Sequence, residues 1–157
     1  GLVITQPNGR KIVLGINEKY INDLYDMRML LECEAAKYYL SEGTMDYTPL
    51  ARAIAEFYSV GDDPLLHAIA NSNFHRTFIE LADSRPLTLC WETLESSLTA
   101  VNKANYAGRT NAMTIQMLVR EHTELLDMIM AKDPGTIEAL KKHIMGAMDD
   151  LKTGIHI

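Results

Sequence analysis

EHTELLDMIMAKDPGTIEALKKH, residues 121–143, is two helical segments parted at Asp133-Pro134-Gly135, with one histidine on each. On a helical wheel His122 falls in the middle of the stripe Ile115, Leu118, Val119, Leu125, Leu126 and Ile129. His143 sits at the edge of the next stripe, Ile137, Leu140, Ile144, Ala147 and Leu151. An imidazole at the centre of an apolar face needs a partner, because an unpaired buried polar group is costly. Upstream, NSNFH at residues 71–75 places Asn71 and His75 one turn apart on one helix face. Three histidines on three helices facing one core suit a divalent metal, which takes inward-pointing imidazole and carboxylate ligands in helical bundles. The rival reading is a set of hydrogen-bonded core histidines, the commoner role of a histidine on an apolar face. Spacing alone leaves both open.

Working outward, the remaining chain reads as helices of ordinary length. Its 157 residues suffice for one domain with a core, and 47% hydrophobic with 23% charged residues is ordinary for a globular protein. The period predicts a first helix over 18–41, with Leu24, Met27, Leu31, Ala35 and Tyr38 as its buried stripe, opened by Asn17 and closed at Gly43. Further helices are expected near 47–60, over 64–83 and up to about Asn105. Gly108 then marks the loop into a fifth over 111–131, and a sixth runs over 134–152. Cys33 and Cys90 read as two buried thiols. The one β signal is at the start, where two short β-prone runs flank Pro7-Asn8-Gly9, a tight-turn sequence. The expected fold is therefore all-α, an antiparallel bundle of about six helices preceded by a short β-hairpin. A lone hairpin is marginal in water, so residues 1–15 are expected to belong to a larger domain that is missing here, and Gly1 in place of a methionine suggests trimming.

Charge and motifs narrow the function. A net charge of −6 argues against a general nucleic-acid-binding surface on this chain. No apolar run reaches the length of a membrane span, so no membrane partner is expected. Nucleophile-elbow, phosphate-loop, dinucleotide and His-Glu-x-x-His patterns are absent. Arg28 has two readings: an internal pair with Glu32, four residues on, or a guanidinium facing a cavity to take a ligand carboxylate. His67 shares the face of Asn71 but lies near its helix start and reads as structural. Glu121 is expected to point away from the face centred on His122, which leaves the histidines without an adjacent base.

The stretch DLYDMRMLLECEAA, residues 23–36, resembles the opening helix of the effector-binding domain in the FadR subfamily of GntR transcriptional regulators. Asn71-x-x-Phe-His75 resembles that family's Asp-x-x-Phe-His motif. Glu121-His122, Asp133 and His143 resemble its closing helix pair, and residues 1–13 are similar to the wing of its winged helix-turn-helix domain. The likeness covers nearly the whole chain in the right order.

That resemblance implies a division into residues 1–15, the wing remnant of a truncated DNA-binding domain, and residues 16–157, an all-α effector-binding domain. It implies a cytoplasmic homodimer that meets operator DNA only through the missing N-terminal domain. It implies metal ligands at Asn71, His75, His122 and His143, with zinc the first choice and nickel or manganese the others. Arg28 becomes the contact to a small carboxylate effector. Three departures stand out. Asn71 replaces an acidic ligand and brings no negative charge, which weakens the metal site. The loop at Pro134-Gly135 is one residue short, and Ser84-Arg85-Pro86 puts an extra cation where Gly-Asn is usual. Two other readings compete: a metal-free sensor of a larger acyl-type ligand, and a helical-bundle metalloenzyme whose histidines activate water. A purely structural dimerisation domain is the remaining rival.

Overall fold

The computed structural model describes residues 3–13, 15–41, 45–61, 63–106 and 112–155, with the side chains of 3–4, 11–13, 112–115 and 154–155 left aside. Gly1, Gly43, Gly108, Asn111 and His156 lie outside the described residues, as does the side chain of Ile115. Two three-residue strands, β1 (Val3–Thr5) and β2 (Lys11–Val13), pair antiparallel with Val3 opposite Val13. Gly9 turns between them at a φ of 79° and donates its N–H to the Gln6 carbonyl at 2.8 Å.

Helices make up the remainder: α1 (Glu18–Ser41), α2 (Thr48–Ser59), α3 (Pro64–Glu80), α4 (Arg85–Tyr106), α5 (Ala112–Met130) and α6 (Thr136–Ile155). Among the described residues no helix is long and apolar enough to cross a membrane. Their starts follow from side chains that satisfy orphan N–H groups. Asn17 Oδ1 accepts from the Tyr20 N–H at 2.8 Å, and Asp63 Oδ1 accepts from Leu65 N–H at 2.8 Å ahead of a first turn begun by Pro64. Helix α5 ends in a Schellman turn: Lys132 N–H donates to the Ile129 carbonyl, and Asp133 N–H to that of Met128 at 2.9 Å. Lys132 takes the left-handed conformation there, φ 51°, which strains a residue bearing a Cβ. Lys132→Gly is expected to raise stability by about 1 kcal/mol, measured by urea unfolding; no gain would show that the turn carries no such strain.

Helix α1 lies at the centre, packed against α3, α4, α5 and α6, while α2 covers α3 and α5. Its buried side is turned from the expected stripe. Met27 and Tyr38 are 44% and 38% exposed, whereas Tyr25, Arg28, Glu32 and Tyr39 are buried with Leu24, Leu31 and Ala35. The reason is that Arg28 and Glu32 neutralise each other, so two charged residues can lie on the face that four helices cover. Tyr39 ties α1 to α3, its hydroxyl donating to the Phe78 carbonyl and its ring meeting Phe78 edge-on at 4.9 Å. Cys33 is half-buried and Cys90 exposed, both free; they sit on outer flanks of α1 and α4 and are not the buried pair expected. Helix α3 stops at Glu80, short of Asp83, and Asp83 turns the chain at a φ of 48°.

Candidate metal and ligand site

Helices α3, α5 and α6 deliver His75, His122 and His143 to one point, with ligand nitrogens all within 4.8 Å of one another. Aromatic packing sets the ring of His122: its centroid is 5.1 Å from that of Phe57 on α2 and 4.5 Å from that of Phe74 on α3. His122 and His75 are fully or almost fully buried, and His143 is nearly so. His67 stays apart, as its position near the helix start suggests. Its Nε2–H reaches back to the Gly61 carbonyl at 2.6 Å, pinning the loop before α3.

The hydrogen bonds fix where the protons are. His122 Nδ1 lies 2.7 Å from the Leu118 carbonyl, which can only accept, so Nδ1 carries the proton and Nε2 a lone pair. His75 Nδ1 lies 2.8 Å from Glu32 Oε2 and donates to it, leaving its Nε2 without a proton as well. Burial holds His75 down to about 4, with the Arg28 charge adding to the effect and Glu32 opposing it. Burial likewise holds His122 well below the ordinary imidazole range, helped by His143 and His75. Both rings are therefore neutral near pH 7, and their unprotonated Nε2 atoms stand 3.4 Å apart. Two facing lone pairs repel unless a cation lies between or beside them, and on the His75 side the Arg28 guanidinium takes that place. Nitrogens at about 2.0–2.1 Å from one tetrahedral ion are about 3.3–3.4 Å apart, so this spacing fits a shared metal. Nδ1 of His143 is buried without a well-aligned hydrogen bond, its near neighbour being Glu121 Oε2 at 3.3 Å. The donor set fits a divalent metal.

Around the histidines lies a buried ion-pair system. Glu32 accepts from Arg28 Nε at 2.7 Å with Oε1 and from His75 with Oε2. Burial works against its charge, but His75 and Arg28 on either side more than offset this and pull its pKa down to about 2. A carboxylate on the far nitrogen of a ligating imidazole orients the ring and raises its basicity. Arg28 also reaches His75 Nε2 at 2.6 Å through Nη2 and stands 5.4 Å from the Tyr25 ring centroid. The internal pair with Glu32 expected from sequence is therefore present, and Arg28 also lines the cavity described below.

Glu121 is a correction. Instead of pointing away, it forms part of the cavity wall with Oε2 3.3 Å from His143 Nδ1. Arg85 is exposed and does not reach the cavity, so the extra cation at Ser84-Arg85-Pro86 belongs to the surface.

A cavity of about 1030 Å³ opens beside the histidines, bounded by α1, α3, α4, α5 and α6. Arg28, Asn71 and His143 are among its lining residues, and Asn71 itself is buried. Leu118, Leu125, Met117 and Met128 give it an apolar wall, while Asn102, Asn105 and Tyr106 contribute polar groups from α4. Sequence reasoning missed these α4 residues and the contact of Glu32 with His75. The spacing of Asn102, Asn105 and Tyr106 along one helix face was the available sign.

A model of the FCD domain matches residues 23–146. No curated protein matches the chain in sequence. Among solved structures, the fold superposes on a protein assigned as a GntR transcriptional regulator from Rhodococcus sp. RHA1. The TM-score is 0.75 at 19% identity, over 97% of this chain and 73% of that one. A GntR family member from Pseudomonas syringae pv. tomato str. DC3000 gives 0.71 at 20% identity, over 99% and 65%. Lar, which controls expression of the Listeria monocytogenes agr system, gives 0.71 at 13% identity, over 99% and 73%. At these identities the structures share a fold. The FCD match carries the relationship further, because it runs from the start of α1 into α6 and takes in Arg28, Glu32, Asn71 and all three clustered histidines. The chain belongs to the FCD domain family.

Proposed function

We propose that this domain senses a small organic acid for a GntR/FadR-type transcription regulator, with a divalent metal held by His75, His122 and His143. Asn71 offers an amide oxygen as the fourth ligand. Zinc suits the imidazole set, with nickel and manganese as alternatives. The metal would polarise and anchor the acid's carboxylate, and Arg28 would take its second oxygen. The observation that carries this reading is the convergence of three buried or nearly buried histidines, with the unprotonated Nε2 atoms of His75 and His122 3.4 Å apart. FCD membership makes the chain a regulator's domain and not a metalloenzyme, even with Glu121 beside His143. On this reading residues 1–15 are the wing of a DNA-binding domain, the regulator is a homodimer, and the acid acts by its differential affinity for two arrangements of the helices.

The test is the metal content of the purified, untagged protein, by elemental mass spectrometry, beside His122→Ala. Near-stoichiometric zinc, nickel or manganese that disappears in the variant is expected. No metal in either protein, even after incubation with excess ions, sinks the metal reading. That result would favour a metal-free sensor of a larger acyl ligand. The cavity's volume speaks for this alternative, since about 1030 Å³ with an apolar wall exceeds what a carboxylate headgroup fills.

A further inference from the structure

The contact between Arg28 and His75 bears on how the site would load. His75 gives its Nδ1–H to Glu32, so Nε2 presents a single lone pair. Arg28 has only donors, and its Nη2 lies 2.6 Å from that lone pair. One lone pair serves an N–H or a metal ion, not both. Glu32 holds the two parties side by side, Arg28 on Oε1 and His75 on Oε2, and Arg28 is 2% exposed. The guanidinium thus places a positive, hydrogen-bonding group where a metal bonded to His75 would need to be.

We propose that Arg28 is a built-in competitor for the metal at His75: metal entry must displace Nη2 from Nε2, and the displaced guanidinium then turns its donors to the cavity it already lines. This rests on the reading of the three histidines as a metal site. It carries a consequence for the acid. Metal and carboxylate favour the same withdrawn position of Arg28, so each tightens the binding of the other beyond any direct bond between them. In the absence of an acid, Arg28 lowers the affinity for metal without abolishing binding.

Titration with Co²⁺ at pH 8 tests this, following absorption and competition with a chelator, on the wild-type chain and on Arg28→Gln with folding checked by circular dichroism. The variant is expected to bind Co²⁺ about tenfold tighter or more, since no charge-assisted hydrogen bond has to be broken first. Equal or weaker binding by a folded variant overturns the inference and leaves the metal reading intact. Failure of both proteins to bind Co²⁺ overturns both. A crystal structure of the wild-type chain grown with Zn²⁺ is independent of how the variant folds. Zinc on His75 Nε2 with Arg28 Nη2 beyond hydrogen-bond range is expected. Zinc on His75 with that hydrogen bond retained, or zinc held by the cluster without His75, overturns the proposal.

Discussion

Glu32→Ala is expected to destabilise the domain by about 3–5 kcal/mol, the range for removing one partner of a buried ion pair. Glu32 is fully buried and holds both Arg28 and His75, so its loss leaves a guanidinium in the core with no counter-charge and an imidazole N–H with no acceptor. The magnitude comes from those stranded groups more than from the pair's intrinsic worth. Urea unfolding at constant slope would measure it. Glu32→Gln keeps the shape and one acceptor, so its loss should be smaller, while metal affinity falls about 10–100-fold with the weakened support of His75. A Glu32→Ala variant within about 1 kcal/mol of wild type would mean that Arg28 escapes to solvent through the cavity.

Acid should unfold the metal-free protein in a window set by its histidines. His75 titrates at about 4 in the folded state because of burial and the Arg28 charge, against about 6.5 in an unfolded chain. Between those values the unfolded chain binds more protons, so stability falls as the pH drops from 6.5 toward 4. His75 alone accounts for roughly 3 kcal/mol across that range, at about 1.4 kcal/mol per pKa unit. His122, also held low by burial, acts in the same direction. Glu32, drawn down to about 2 despite burial by His75 and Arg28, adds a further loss only as the pH falls below the ordinary carboxylate value. Chemical denaturation at a series of pH values would trace this. Stability that stays flat from pH 6.5 to 4.5 would contradict neutral, buried histidines.

The histidines were legible because each interrupts or borders a regular apolar stripe, and a stripe shows which way its members point. The sequence alone therefore aims His122, His143 and His75 at one core. Glu32 was only half legible. Its pairing with Arg28 is local, four residues apart, but its bond to His75 spans 43 residues and comes from packing α1 against α3. Phasing α1 on Met27 and Tyr38 hid this, because counting apolar residues at three- and four-residue spacing cannot reveal that a charged pair is buried. Glu121 failed for a related reason. A wheel drawn for α5 alone turns it from His122, yet α6 lies alongside and brings His143 to it. The cavity wall on α4 had no such landmark, since asparagines at helical spacing read equally well as surface.

Helix α1 carries Arg28 and Glu32 on 24 residues that include neither proline nor glycine. Such a segment lacks the usual places where a helix bends, so it behaves as a stiff rod about 36 Å long. A backbone shift at Arg28 cannot be absorbed nearby. Ten residues upstream, about 15 Å away, it is felt at Glu18, where the chain leaves toward its first two strands. The guanidinium at the centre of the site is thus geared to the end of the domain through which the preceding residues are attached.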